Sequence, residues 1–165
     1  MIELLILDVD GCLTDGRITY TDNGDELKSF DVKDGFAIVG WHALGKRSAI
    51  ITGRSSRIVE RRAAELGIEH LFQGVRDKAA VARELADELG VSMQHVAAIG
   101  DDLNDYRLLR EAGLSFAPAD CEERILEVVD VHLSRPGGRG AVREMIEYIL
   151  EREGLLGRYL ERWRS

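Results

Sequence analysis

With 165 residues, 45% hydrophobic and 32% charged, the chain has the size and composition of one soluble globular domain with a substantial core. Its net charge of −8 and pI near 5.1 provide no basic face for nucleic acid or an anionic membrane, so neither is expected as a partner. A small anionic substrate stays open, because a bound cation inverts the local field.

No apolar run approaches the roughly 20 residues that cross a bilayer. The first apolar stretch has no basic segment before it and ends on acids, so it does not read as a signal peptide. Cys12 and Cys121 are the only cysteines. They are expected as free thiols in a reducing cytoplasm.

The chain opens with a short apolar run, Glu3–Leu7, bounded by turn residues and predicted as a buried strand. "GRITYTDNGDELKSFDV" follows, with Asn23-Gly24 between two β-rich arms. That pair is a strong hairpin signal, so residues 17–32 are expected as a hairpin inserted into the α/β pattern. A helix is predicted over Asp34–Leu44, a strand over Arg47–Ile51, and a helix over Arg57–Leu66 that stops at Gly67. A short strand at Leu71–Gln73 precedes a helix over Lys78–Leu89 that stops at Gly90. Strand His95–Ile99, helix Leu103–Ala112 and strands Leu114–Ala117 and Val131–Leu133 come next. The alternation predicts an α/β fold, a parallel sheet covered by helices on both faces. An amphipathic helix from Gly140 to about Glu153 ends the domain, taken as residues 1–153. In the tail, 154–165, Leu155, Leu156, Tyr159, Leu160 and Trp163 recur at helical spacing and read as a docking face.

Ligands of open α/β sheets bind at the carboxyl ends of the strands. Asp8 ends the first predicted strand, with Asp10 two residues on; Thr52 ends another, and Asp101 and Asp102 follow a third. Each has a structural explanation: Asp10-Gly11 as a turn pair, Thr52 or Ser55 as a helix cap, Asp101, Asp102 and Asp105 at a helix N-terminus. Their joint occurrence on one rim is harder to explain that way. Clustered carboxylates repel, and a divalent cation resolves the repulsion. Mg²⁺ in particular takes one or two carboxylates together with water and a substrate phosphate. A carboxylate can attack phosphorus, and a second one beside it can move protons. Lys78 stands early in a helix, where the dipole disfavours a cation. That local cost favours a role in the site.

"DVDGCLTDG", "IITGR", Asp77-Lys78 and "IGDDLND" occur in the order and spacing of the haloacid dehalogenase-like phosphatases, which residues 1 to 150 resemble. The resemblance implies a three-layer, Rossmann-like sheet. It implies Asp8 as nucleophile and metal ligand, and Asp10 as general acid/base whose backbone carbonyl also reaches the metal. Thr52 would hydrogen-bond the transferring phosphoryl group, helped by the amide of Gly53. Lys78 would neutralise phosphoryl charge, and Asp101 would be the second carboxylate on Mg²⁺. Asp102 and Asp105 would hold metal-bound water or orient Lys78.

"LTDGRITY", "FDVKDG", "QGVRDK" and "GGRGAVRE" further resemble the 3-deoxy-D-manno-octulosonate (KDO) 8-phosphate phosphatases. That resemblance implies a capless cytoplasmic homotetramer built on the hairpins, acting on an acidic sugar phosphate of lipopolysaccharide synthesis. A C-terminal segment of one subunit would close its neighbour's site, with Arg139 meeting the substrate carboxylate through bidentate hydrogen bonds. The glycines around Arg139 would let the backbone pass close to that neighbour. Arg54 also matches this family, whereas relatives acting on nine-carbon ulosonate 9-phosphates often carry an acid there. Such a phosphatase is the nearest alternative. A non-catalytic oligomerising relative is another, although it would be expected to lack some of Asp8, Asp10, Lys78 and Asp101. Asp34 is expected to cap the helix opening at Phe36 rather than to contact sugar hydroxyls. His42, His70, His95 and His132 show no metal spacing. Trp41 is expected in the core, and Cys12 as a small hydrophobe.

Overall fold

The first strand is apolar at every position, and it lies at the centre of the molecule. In β1 (Leu4–Leu7) all four side chains are buried. Successive side chains point to opposite faces of a strand, so Leu5 and Leu7 enter one core layer while Leu4 and Ile6 enter the other. The computed structural model describes residues 1–164; Ser165, the last residue of the expected tail, lies outside the described residues.

Beyond β1 come β2 (Thr19–Tyr20), β3 (Glu26–Leu27), α1 (Val32–Ala43), β4 (Arg47–Ile51), α2 (Arg57–Leu66), β5 (His70–Phe72) and α3 (Lys78–Leu89). Then follow β6 (Val96–Ile99), α4 (Tyr106–Glu111), β7 (Leu114–Ala117), β8 (Val131–His132), α5 (Ala141–Arg152) and α6 (Leu156–Arg164). Six strands form one sheet in the order β5-β4-β1-β6-β7-β8, and every pairing is parallel. Helices α1, α2 and α5 cover one face, and α3 and α4 the other. This is the expected three-layer, Rossmann-like arrangement. The strand order reverses beside β1, so the carboxyl ends of β1, β4 and β6 surround one crevice.

β2 and β3 form the expected antiparallel hairpin apart from the main sheet. Its tip is wider than a two-residue turn: Thr21 N–H donates to Asp25 O at 2.9 Å, and Asn23-Gly24 lies within the loop between them. Helix α1 begins earlier than predicted, at Val32, because the Asp31 side chain accepts from Lys33 N–H at 2.7 Å. Asp34 therefore does not cap its own helix. Its buried carboxylate accepts from Arg143 N–H at 2.9 Å and Gly140 N–H at 3.4 Å, closing the N-terminus of α5 instead. Likewise neither Thr52 nor Ser55 caps α2; Ser56 does, accepting from Ile58 N–H at 3.1 Å. The helix predicted over Leu103–Ala112 is divided into a 3₁₀ turn, Leu103–Asp105, and α4.

The tail docks as its pattern predicts. Tyr159 is buried, and Leu155, Leu156 and Leu160 pack against the same core. The Tyr159 ring lies so close to α1 that a Cβ at Gly40 would fall 2.3 Å from it. Trp163 stacks on Phe36 with centroids 4.1 Å apart. Trp41 is fully buried, and both cysteines are free thiols. Among the described residues no helix is long and apolar enough to cross a membrane.

Candidate active site

Asp8 leaves β1 directly into a wide turn, Val9–Leu13, closed by Thr14 N–H donating to Val9 O at 3.0 Å. Gly11 in that turn has φ +95°, which favours glycine. A Cβ there would also lie 1.9 Å from the Asp101 carboxylate. The glycine thus lets the turn after β1 pass directly against the acid that follows β6. Carboxylate oxygens of Asp8 and Asp101 and the sulfur of Cys12 all lie within 4.8 Å of one another.

Lys78, the first residue of α3, is 2% exposed. Its Nζ donates to Asp8 Oδ1 at 2.7 Å and to Asp105 Oδ1 at 2.6 Å. Asp105 is itself fully buried, and its second oxygen accepts from Asp101 N–H at 3.1 Å and Asp102 N–H at 3.4 Å. With Asp102 it forms a capping box that opens the 3₁₀ turn. Three carboxylates (Asp8, Asp101 and Asp105) therefore face one ammonium.

The electrostatics record this imbalance. Burial, and then the charge of Asp105, push Asp8 up to about 6 against the pull of Lys78. Burial and the charges of Asp8, Asp105 and Asp102 push Asp101 up to about 8. Burial alone would lower Lys78, but Asp8 and Asp105 outweigh it and hold the ammonium well above its ordinary range. The surplus negative charge, carried by hard oxygen donors, suits a divalent cation such as Mg²⁺.

A crevice of about 240 Å³ opens over this cluster, bounded by Asp8, Asp10, Thr52, Gly53, Arg54 and Asp101, with Gly16, Asp102 and Asn104 completing it. Thr52 is buried at the end of β4. Asp102 is exposed and caps the 3₁₀ turn, accepting from Leu103 N–H at 2.6 Å. Arg54 stands at the rim, its Nη2 3.3 Å from Glu26 and its Nε 4.0 Å from Asp10. Asp8, Asp10, Thr52, Gly53, Arg54, Lys78, Asp101, Asp102 and Asp105 thus meet in one place.

Arg139 does not join them. It is exposed on the turn before α5 and makes no ion pair among the described residues. The glycines beside it make tight contacts within this chain. A Cβ at Gly137 would fall 1.7 Å from Gly11 O, and Gly138 N–H donates to Cys12 O at 2.9 Å. The GGRG turn therefore buttresses the turn that follows Asp8.

Lys28 and Asn104 were not singled out in the sequence. Lys28 extends from the end of β3, and its Nζ lies 2.5 Å from Asp10 Oδ1 and 3.2 Å from Glu26 Oε1. Asn104 carries a weak signal, its place inside "GDDLND". Cys12 is a buried small residue as expected, yet it also lines the acidic cluster.

Comparison with known proteins agrees with this geometry. The haloacid dehalogenase-like hydrolase model matches residues 71–142. The chain is 44% identical over 155 residues to the 3-deoxy-D-manno-octulosonate 8-phosphate phosphatase of Escherichia coli K12, covering 94% of this chain and 82% of that protein. The Moraxella catarrhalis phosphatase of the same name, solved with a magnesium ion, a phosphate ion and a KDO molecule, superposes with a TM-score of 0.95 at 42% identity, covering 98% of this chain and 93% of that one. The cobalt-bound Haemophilus influenzae phosphatase gives a TM-score of 0.90 at 41% identity, with 94% and 91% coverage. Identity at this level across almost the whole length, on one shared fold, means that the chain belongs to the 3-deoxy-D-manno-octulosonate 8-phosphate phosphatase family of haloacid dehalogenase-like hydrolases.

Proposed function

We propose that this chain hydrolyses KDO 8-phosphate to KDO and inorganic phosphate, using Mg²⁺ held by Asp8, Asp101 and the backbone carbonyl of Asp10. The observation that carries the reading is the bridge from Lys78 to Asp8 and Asp105, beside Asp101, beneath the floor of a crevice lined by Thr52. The names of the relatives, one of them solved with magnesium, phosphate and KDO, supply the substrate. When bound, the cation neutralises charge on the acids and the phosphoryl oxygens.

The chain's own residues then divide the work. Lys78 fixes one Asp8 oxygen and leaves the other to attack phosphorus in line. As that P–O bond forms, the bond from phosphorus to the sugar oxygen breaks, and Asp10 gives its proton to the departing oxygen. Asp10, now ionised, takes a proton from water, whose oxygen attacks the aspartyl-phosphate at phosphorus and returns Asp8 as a carboxylate. Thr52 and the Gly53 amide hold phosphoryl oxygens through both displacements. Asp105 keeps Lys78 in place, and Asp102 caps the turn that carries Asp105.

The catalytic domain comprises residues 1–153, with 17–32 as the assembly hairpin and 154–165 as the C-terminal tail. Ile18, Tyr20 and Leu27 on the hairpin are 48%, 60% and 54% exposed, and Val32 beside it is 77% exposed. Apolar exposure of this kind supports a homotetramer formed through the hairpins. Arg54 and a neighbour's Arg139 would then meet the substrate carboxylate. A sugar phosphate substrate and two free thiols suit the cytoplasm.

Phosphate release from purified protein across sugar phosphates tests the assignment. KDO 8-phosphate should give the highest kcat/KM. A higher value for a nine-carbon ulosonate 9-phosphate would replace it.

A further inference from the structure

The mechanism leaves Lys28 without a role, although its surroundings are unusual. The side chain is 1% exposed. It lies at the end of a hairpin whose two strands are two residues each. Burying a lysine there is costly, and an apolar residue of similar volume would fit an ordinary packing role better. Burial alone would lower its basicity, but the hydrogen bonds it donates to Asp10 and Glu26 hold it above the ordinary lysine value.

The contacts are also directional. Glu26 and Lys28 are two residues apart on an extended segment, so they share a face. That face turns onto Asp10. Among the described residues, Lys28 is the only hydrogen-bond donor to the Asp10 carboxylate, at 2.5 Å to Oδ1. The other oxygen, Oδ2, lies on the side of Arg54, 4.0 Å from its Nε. Glu26 ties the two cations together, 3.2 Å from Lys28 and 3.3 Å from Arg54. Asp10 sits in a turn with no regular helical or strand ladder of its own. Its carboxylate is therefore oriented from the hairpin.

We propose that Lys28 is a positioning residue: it holds Oδ1 of Asp10 so that Oδ2 is the oxygen presented to the leaving group. The inference rests on the reading of Asp10 as the proton-transfer residue. It makes the hairpin part of the catalytic apparatus as well as a surface for assembly. The proton can reside on Oδ2 while Oδ1 accepts from the ammonium, so the contact is compatible with either protonation state.

Leaving-group dependence tests this. An alkyl oxygen needs a proton to depart, whereas dinitrophenolate does not. Both probes, a simple alkyl monophosphate and dinitrophenyl phosphate, carry no charge besides the phosphate and lack a carboxylate, so recognition of the sugar acid does not enter. Lys28→Met should lower kcat/KM for the alkyl ester about ten- to hundredfold, part of the ~10²–10⁴ that a positioned acid contributes. The loss on dinitrophenyl phosphate should be several-fold smaller. Lys28→Arg should recover most of the alkyl activity. Lys28→Met combined with Asp10→Asn should be no worse than Asp10→Asn alone, because the two act as one unit. Equal losses on both esters in Lys28→Met, with Asp10→Asn still selective for the alkyl ester, would overturn the role of Lys28 and leave Asp10 standing. Equal losses in Asp10→Asn itself would overturn the reading of Asp10, and this inference with it.

Discussion

Two lysines each bridge two acids in this site, and they are anchored very differently. Lys78 opens a twelve-residue helix whose apolar face is buried under the sheet, and it grips Asp8 and Asp105 from inside the core. Lys28 hangs from a hairpin of two short strands and grips Asp10 and Glu26 at the rim. The phosphoryl half of the site is thus fixed by the domain itself. The leaving-group half depends on an element that exposes apolar residues and is too short to be stable alone. The two halves of the site rest on elements of different stability.

Replacing the nucleophile should have the largest effect. Asp8→Asn keeps the shape of the side chain but not its nucleophilicity, so turnover should fall by about 10⁴-fold or more, the scale seen when a nucleophile is removed. Circular dichroism should show an intact fold, because β1 and its neighbours are unchanged. Near-normal turnover in a phosphate-release assay would remove Asp8 from the role.

Breaking the interior bridge comes next. Lys78→Met leaves Asp8 and Asp105 buried without a counter-charge, a change that typically costs about 3–5 kcal/mol. Denaturant unfolding of the metal-free protein at pH 8 should show this loss. At pH 5 it should shrink, because Asp8 can then take up a proton. A loss no larger than that measured for Lys28→Met in the same assay would erase the contrast between the two lysines.

Metal should act on the interior half. Asp8 and Asp101 sit above their ordinary 3.8, at about 6 and about 8. The folded metal-free protein therefore binds more protons than the unfolded chain, and its stability falls as pH rises across that window. Mg²⁺ should reverse the trend, by about 2.7 kcal/mol at a hundred times its dissociation constant. The rise in melting temperature on adding Mg²⁺ should be larger at pH 8 than at pH 6, and a chelator should abolish it.

The smallest effect concerns the assembled rim. Arg139→Ala should lower kcat/KM for an acidic sugar phosphate by roughly ten- to hundredfold, equivalent to a charge-assisted hydrogen bond of about 1.5–3 kcal/mol. An uncharged aryl phosphate should be affected far less. Equal losses on both would remove Arg139 from recognition, and light scattering that finds an active monomer would remove the shared site.

The interior half was legible in the sequence because short-range chemistry writes it. Apolar runs such as "LLIL" end on acids, and strand ends converge wherever a parallel sheet forms. Lys78 was readable because a cation is out of place at a helix start. Lys28 was not, since a lysine in a hairpin arm reads as a solvated charge. Only the fold back onto Asp10, 18 residues away, gives it a partner. Asp34 misled for the same reason. Its position favours a local cap, but Asp31 takes that role, and Asp34 instead reaches backbone amides 106 and 109 residues away. The glycines of the GGRG turn signalled close contact, and within the chain that contact is with the turn after Asp8.

Asp8 should take the phosphoryl group before water does. A phosphorothioate monoester made chiral at phosphorus with oxygen isotopes and hydrolysed in isotopically distinct water tests it in one measurement. Two in-line displacements, first by Asp8 and then by water, invert phosphorus twice, so net retention of configuration is expected in the released thiophosphate. Net inversion would mean a single direct attack by water and would contradict it.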